Sequence, residues 1–199
     1  MPLRDRLRAE KLRGGVIIGR EVIVLQQTKS TNDVIGQMAA GDWPEGLCVF
    51  AEHQTSGRGQ RGNKWESVPG KGLSFSILLR PKIDIKESAR LTTWVAAMIA
   101  ETLHDEFDLP ATVRPPNDVY INEHKIAGVL VEMRAQPDAP HVAVVGVGVN
   151  VNHSPGEFSE ELRGHATSIA IVRRGRLDRH RIALALLRNL DRTYGELFG

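Results

Sequence analysis

Between Lys86 and Phe107 the apolar side chains Leu91, Trp94, Val95, Met98, Ile99 and Leu103 return at three- and four-residue spacing. On a helix they form one broad stripe, and such a stripe is stable only when another layer covers it. The covering layer is predicted to be β. Leu47–Glu52, Leu73–Leu79, Val119–Ile121, Lys125–Arg134 and Val142–Val149 read as strands, the last two rich in Val and Ile. A second amphipathic helix follows Asp178, with Ile182, Leu186, Leu187 and Leu190 on one face. Strands and helices alternate irregularly, which predicts an α+β fold with a mixed β-sheet and flanking helices.

Nearer the N-terminus, residues 1–13 read as a short charged helix broken by Gly14-Gly15. Val16–Ile18 and Glu21–Gln26 read as a hairpin around Gly19, and Ser30-Thr31-Asn32-Asp33 as a capping box opening a helix to Ala40. The chain of 199 residues, with 41% hydrophobic and 25% charged residues, is expected to form one domain over residues 1–199. A net charge of +2 gives no field that favours nucleic acid, and no apolar run approaches the roughly 20 residues of a membrane helix. With one cysteine, Cys48, and no signal peptide, a soluble cytoplasmic protein is expected.

Chemistry concentrates in three segments. Gly57-Arg58-Gly59-Gln60-Arg61-Gly62-Asn63-Lys64-Trp65 combines glycines that let backbone approach a ligand, cations for phosphate or carboxylate oxygens, and a flat indole for a base. It is neither familiar nucleotide loop. Gly70-Lys71 has Trp65 where a P-loop needs its first glycine, and Gly146-Val147-Gly148 has Val151 at the third glycine of the dinucleotide fingerprint. In Arg114-Pro115-Pro116-Asn117-Asp118 two prolines hold an extended lead-in, placing Asn117 and Asp118 at a rigid bend. In Lys125-Ile126-Ala127-Gly128-Val129-Leu130-Val131-Glu132 a lysine opens an apolar strand, facing either solvent or a pocket. The seven histidines (His53, His104, His124, His141, His153, His165 and His180) have no metal-ligand spacing, and Cys48 sits in an apolar strand as packed core.

Together these segments resemble the catalytic domain of biotin–protein ligases, in the biotin/lipoate ligase superfamily with its class II aminoacyl-tRNA synthetase-like fold. Ser30, Thr31 and Asn32 match the family's Ser-Thr-Asn, Gln54 and Gly57–Trp65 its adenylate loop, and Pro116-Asn117-Asp118 its Pro-Asn-Asp turn. Lys125 and Gly128 match its Lys-x-x-Gly, and Gly146, Gly148 and Asn150 its Gly-x-Gly-x-Asn. These matches are colinear over residues 28–152. Octanoyl transferases share the fold but use a reactive cysteine, and the lipoate-ligase Arg-Arg…Gly-Gly-Gly loop is absent here.

The resemblance implies ATP-dependent formation of biotinyl-AMP and transfer of biotin to a lysine of a biotin carboxyl carrier protein, usually that of acetyl-CoA carboxylase. It implies Lys125 and Arg58 as catalytic residues. Ser30, Thr31, Asn32, Gln54, Arg58, Gly59, Gln60 and Lys125 would bind biotin, and Arg61, Trp65, Asn117 and Asn150 the nucleotide. Asp118 would either position Mg²⁺ or orient Lys125. A homodimer is implied by other members, and no nucleic acid or membrane partner is. The chain has no room for an N-terminal helix-turn-helix and stops where many members continue into a C-terminal β-barrel, so a monofunctional ligase is expected. It departs from the pattern at Gln60, where an arginine is usual, and at Arg114-Pro115, where Lys-Trp is usual. These departures support an alternative, a ligase-like protein that binds biotin or its adenylate with little transfer.

Overall fold

The structure, a computed structural model, describes residues 6–136 and 140–199. Seven strands form one sheet: β1 (Val22–Leu25), β2 (Cys48–Ala51), β3 (Leu73–Leu79), β4 (Thr112–Arg114), β5 (Asp118–Ile121), β6 (His124–Arg134) and β7 (Val142–Val149). Their spatial order is β1-β2-β3-β7-β6-β5-β4. Only β1 and β2 run parallel; all other neighbours are antiparallel. The α+β mixed sheet expected from the sequence is present.

The side chains of the central strands alternate between two apolar layers. Phe75, Ile77 and Leu79 of β3, with Val145, Val147 and Val149 of β7, face the larger layer, which α2 (Ser88–Phe107) and α4 (Arg179–Phe198) cover. Leu78, Val142 and Val144 face the other side, where α1 (Thr31–Met38) packs through Ile35. Because α1 is only eight residues long, part of this second face is left for polar and glycine positions: Ser74, Ser76, Gly146 and Gly148. That gap is where the site forms. No helix among the described residues is long and apolar enough to cross a membrane.

Several local expectations are corrected. Residues 1–5 of the charged N-terminal helix lie outside the described residues, and the rest holds only a 3-10 turn at Ala9–Lys11. No hairpin joins Val16–Ile18 to Glu21–Gln26. Both oxygens of Asp191 on α4 accept the backbone N–H groups of Val16, Ile17 and Ile18, each at 2.8 Å, which withdraws them from any ladder, and β1 pairs with β2 instead. Ser30 is the N-cap of α1 but makes no side-chain capping bond, and the side chain of Asp33, the fourth residue of the expected box, pairs with Arg58 at 2.6 Å instead of returning to Ser30. The strand β4 and helix α3 (Ile169–Arg173), three and five residues long, are too short for periodicity to reveal them.

Candidate functional site

The loop from Gly57 to Trp65 folds back on itself. Trp65 N–H donates to the Gly57 carbonyl at 3.0 Å, Gly59 N–H to Asn63 at 2.7 Å, and Gln60–Gly62 makes a 3-10 turn at the tip. Its base is anchored on the sheet: the Trp65 indole lies so close to Gly148 of β7 that a Cβ there would stand 2.2 Å from Cε2. Glycine at 148 is therefore a packing requirement of the loop.

Opposite the loop, the first turn of α1 presents a polar wall. Thr31 donates from its backbone N–H and its hydroxyl to Gln54 Oε1, at 2.7 and 3.0 Å. Ser76 Oγ lies 2.7 Å from Thr31 Oγ1 and donates to Asn32 Oδ1 at 2.6 Å. Asn32 Nδ2 donates to Glu132 at 2.6 Å. All of these groups except Glu132 are buried, so their geometry is set by one another and not by solvent.

Lys125 reaches the same cavity because of a β-bulge. Between β5 and β6 the register shifts, with Tyr120 opposite Lys125 but Val119 opposite Ala127. The extra residue, Ile126, joins Ala127 in the core, and Lys125 turns to the site face beside Gly128. Its Nζ lies 2.7 Å from Asp118 Oδ1. Asn117 Nδ2 donates to the same Oδ1 at 3.0 Å and to the Val129 carbonyl at 3.3 Å. Arg58 is held by two acids, with Nη1 2.6 Å from Asp33 and Nη2 3.3 Å from Glu132. The hydrogen bond to Asp33, with Glu132 adding to it, raises the guanidinium above the usual arginine range.

Ser30, Thr31, Asn32, Gln54, Arg58, Gly59, Gln60, Arg61, Trp65, Asn117, Asp118 and Lys125 all line one cavity of about 300 Å³. Asn150 does not. It lies in an adjoining cavity of about 240 Å³, which shares Lys64, Trp65, Asp118 and Lys125 with the first. The second cavity also holds residues that the motifs do not mark. His153 stacks on Phe158 with ring centroids 5.2 Å apart, and burial pulls its imidazole down to about 4, so it is neutral near pH 7. Beside it, burial works against ionisation of Glu157, but the N–H and hydroxyl of Ser154 and the Lys71 ammonium pull it down to about 2. Behind the first cavity, Ser76 and Glu132, which bond to its lining residues Asn32 and Arg58, went unmarked as well. The signal for Ser76 is a pair of serines, Ser74 and Ser76, on one face of an otherwise apolar strand. Among the described residues no group of three or more His, Cys, Asp or Glu side chains is placed to hold a metal.

A polar wall, a cationic loop and a lysine–aspartate pair around paired cavities suit a ligand with a hydrogen-bonding ring, an anionic centre and a flat group. Comparison with known proteins points the same way. Residues 24–150 match the model of the biotin/lipoate A/B protein ligase family. The chain is 31% identical over 178 residues to the bifunctional ligase/repressor BirA of Bacillus subtilis, covering 89% of this chain and 55% of that protein. It is 34% identical over 198 residues to the biotin–[acetyl-CoA-carboxylase] ligase of Mycobacterium tuberculosis, covering 96% and 70%. Its fold resembles that of the biotin protein ligase from Aquifex aeolicus in complex with biotin and ATP, with a TM-score of 0.74 at 30% identity over 90% of this chain and 73% of the other. The chain spans about half the length of the BirA relatives. Sequence, sheet topology and motif placement agree: the chain belongs to the biotin/lipoate A/B protein ligase family.

Proposed function

We propose that this chain is a biotin–protein ligase: it joins biotin to AMP at the expense of ATP and passes the biotinyl group to a lysine of a biotin carboxyl carrier protein. The observation that carries this reading is the convergence of Thr31, Asn32 and Gln54 with Lys125 on a single cavity of about 300 Å³. The α1 wall suits the urea ring of biotin, with Ser30 at its edge. The Lys125 ammonium lies between that wall and the second cavity, where the biotin carboxylate would meet the α-phosphate.

In the first step a carboxylate oxygen attacks the α-phosphorus, the bond to the bridging oxygen breaks, and pyrophosphate leaves with its electron pair. Two anions must approach each other, and the Lys125 charge offsets their repulsion and the charge that grows on the phosphoryl oxygens. Asp118 holds Lys125 in place through its 2.7 Å ion pair. Arg58, Gly59, Gln60 and Arg61 would enclose the mixed anhydride and exclude water. Trp65 and Asn117, with Asn150 across the second cavity, would bound the nucleotide. In the second step the neutral amine of the carrier lysine attacks the biotinyl carbonyl, and AMP leaves. Since Asp118 Oδ1 serves Lys125 and Asn117, Oδ2 is the oxygen left for Mg²⁺; one carboxylate suits an ion ligated mainly by phosphates and water, where it would add positive charge. The same reading carries a cytoplasmic location and a homodimer, the latter testable by size exclusion with light scattering.

A second reading, a binder with little transfer, draws on the two acids at Arg58, which partly neutralise it. Biotin-dependent exchange of labelled pyrophosphate into ATP, followed by transfer of labelled biotin to a purified carrier domain, separates the two. Exchange and transfer support the ligase. Biotin binding without exchange supports the binder.

A further inference from the structure

One acid ties together both sides of the first cavity. Glu132 stands on the site face of β6, and its Oε2 accepts from Asn32 Nδ2 at 2.6 Å and from Arg58 Nη2 at 3.3 Å. The two contacts are unequal. Arg58 and Glu132 have side chains 40% and 42% exposed, so their long contact is screened and holds little. Asn32 is 5% exposed and its bond is short, so here the carboxylate decides an orientation.

A carboxylate accepts hydrogen bonds and donates none at neutral pH. Glu132 therefore draws the amide nitrogen of Asn32 to itself and turns Oδ1 toward Ser76 Oγ, at 2.6 Å. The amide has no other place to go: a Cβ at Gly146, just beneath it, would stand 2.2 Å from Oδ1. Ser76 takes one lone pair of Oδ1, and the other remains for a ligand N–H. Inverted, the same amide would offer N–H to N–H.

We propose that Glu132 is a positioning residue that fixes the Asn32 amide as an acceptor, and that it thereby sets the preference of the cavity for a cyclic urea bearing free N–H groups. The inference rests on the biotin-activating reading above.

Calorimetric titration of E132A and E132Q with biotin, with a biotin methylated on a urea nitrogen, and with ATP tests it. E132A is expected to bind biotin at least about tenfold more weakly, as loss of a bond to a charged acceptor predicts. Its preference for biotin over the methylated analogue is expected to narrow, while ATP affinity stays within about twofold because the Arg58 contact is screened. E132Q is expected to recover most of the biotin affinity, since Oε1 of a glutamine also accepts from Asn32. Parental affinity and selectivity in E132A would overturn the proposal, as would equal impairment of E132A and E132Q. A matching loss of ATP affinity with a lowered Tm would overturn it too, by showing a merely structural role. Failure of the unmodified protein to bind biotin would overturn the underlying reading instead, and this inference with it.

Discussion

The indole of Trp65 and the backbone of Gly148 are in such close contact that no side chain fits between them: a Cβ on Gly148 would lie 2.2 Å from Cε2 and 2.4 Å from Cζ2. Trp65 closes the base of the glycine-rich loop, so this contact couples the loop to β7. G148A is expected to displace the loop base and weaken biotin binding by about tenfold or more, the scale of a lost close-packed contact. G156A, where a Cβ meets nothing within 4 Å, serves as the control and is expected to bind as the parent does. Isothermal titration of both variants checks this.

Lys125 is expected to dominate the activation step. Removing one preorganised charge typically costs ~10²–10³ in rate, so K125A should lower pyrophosphate exchange by that factor. D118N keeps a polar partner 2.7 Å from Nζ but removes the counter-charge, so a smaller loss is expected. Equal exchange rates in K125A and the parent would refute the assignment of Lys125 as catalytic.

Gln60 stands where the resemblance leads one to expect arginine. It lines the first cavity and brings hydrogen-bonding capacity without charge. Q60R is expected to slow release of biotinyl-AMP, read directly by stopped-flow dissociation. An unchanged dissociation rate would rule out a retention role for charge at this position.

Acid stability should report the second cavity. The folded His153 is held at about 4 against an ordinary value of 6.5, so the unfolded chain binds its proton first as pH falls. Stability is full above pH 6.5 and declines between 6.5 and about 4, by up to about 3 kcal/mol. Glu157, depressed to about 2 from 4.5, adds a decline in the same direction below pH 4.5. H153Q is expected to flatten the upper window and leave the lower one. Urea denaturation at half-unit pH intervals measures both.

The Asp191 clamp makes a structural prediction independent of chemistry. D191A strips three backbone N–H groups of a charged acceptor, part of it at an exposed site, and is expected to cost ~2–4 kcal/mol of stability without altering biotin affinity. Denaturant midpoints and biotin titration on the same preparation test both halves.

What the amino-acid order alone determined is the long α2 and α4 helices, the strands β3, β6 and β7, and the segments that carry chemistry. Their periodicity and motif spacing are local properties, visible within one stretch of chain. The tertiary structure decided which of those residues meet. Lys125 and Gly128 are three apart and on a regular strand would face opposite ways; the bulge at Ile126 puts both on the site face. Asn150 carries a motif yet falls in the second cavity, because the chain leaves the sheet after β7. Ser76 and Glu132 lie in segments that read as strands but had no role in them, and they enter through sheet register and one shared carboxylate. The failed hairpin and capping box have the same origin. Two partners distant in sequence take the groups that local structure would use: Asp191 offers a carboxylate where a ladder would offer neutral carbonyls, and Arg58 engages Asp33 in an ion pair at 2.6 Å.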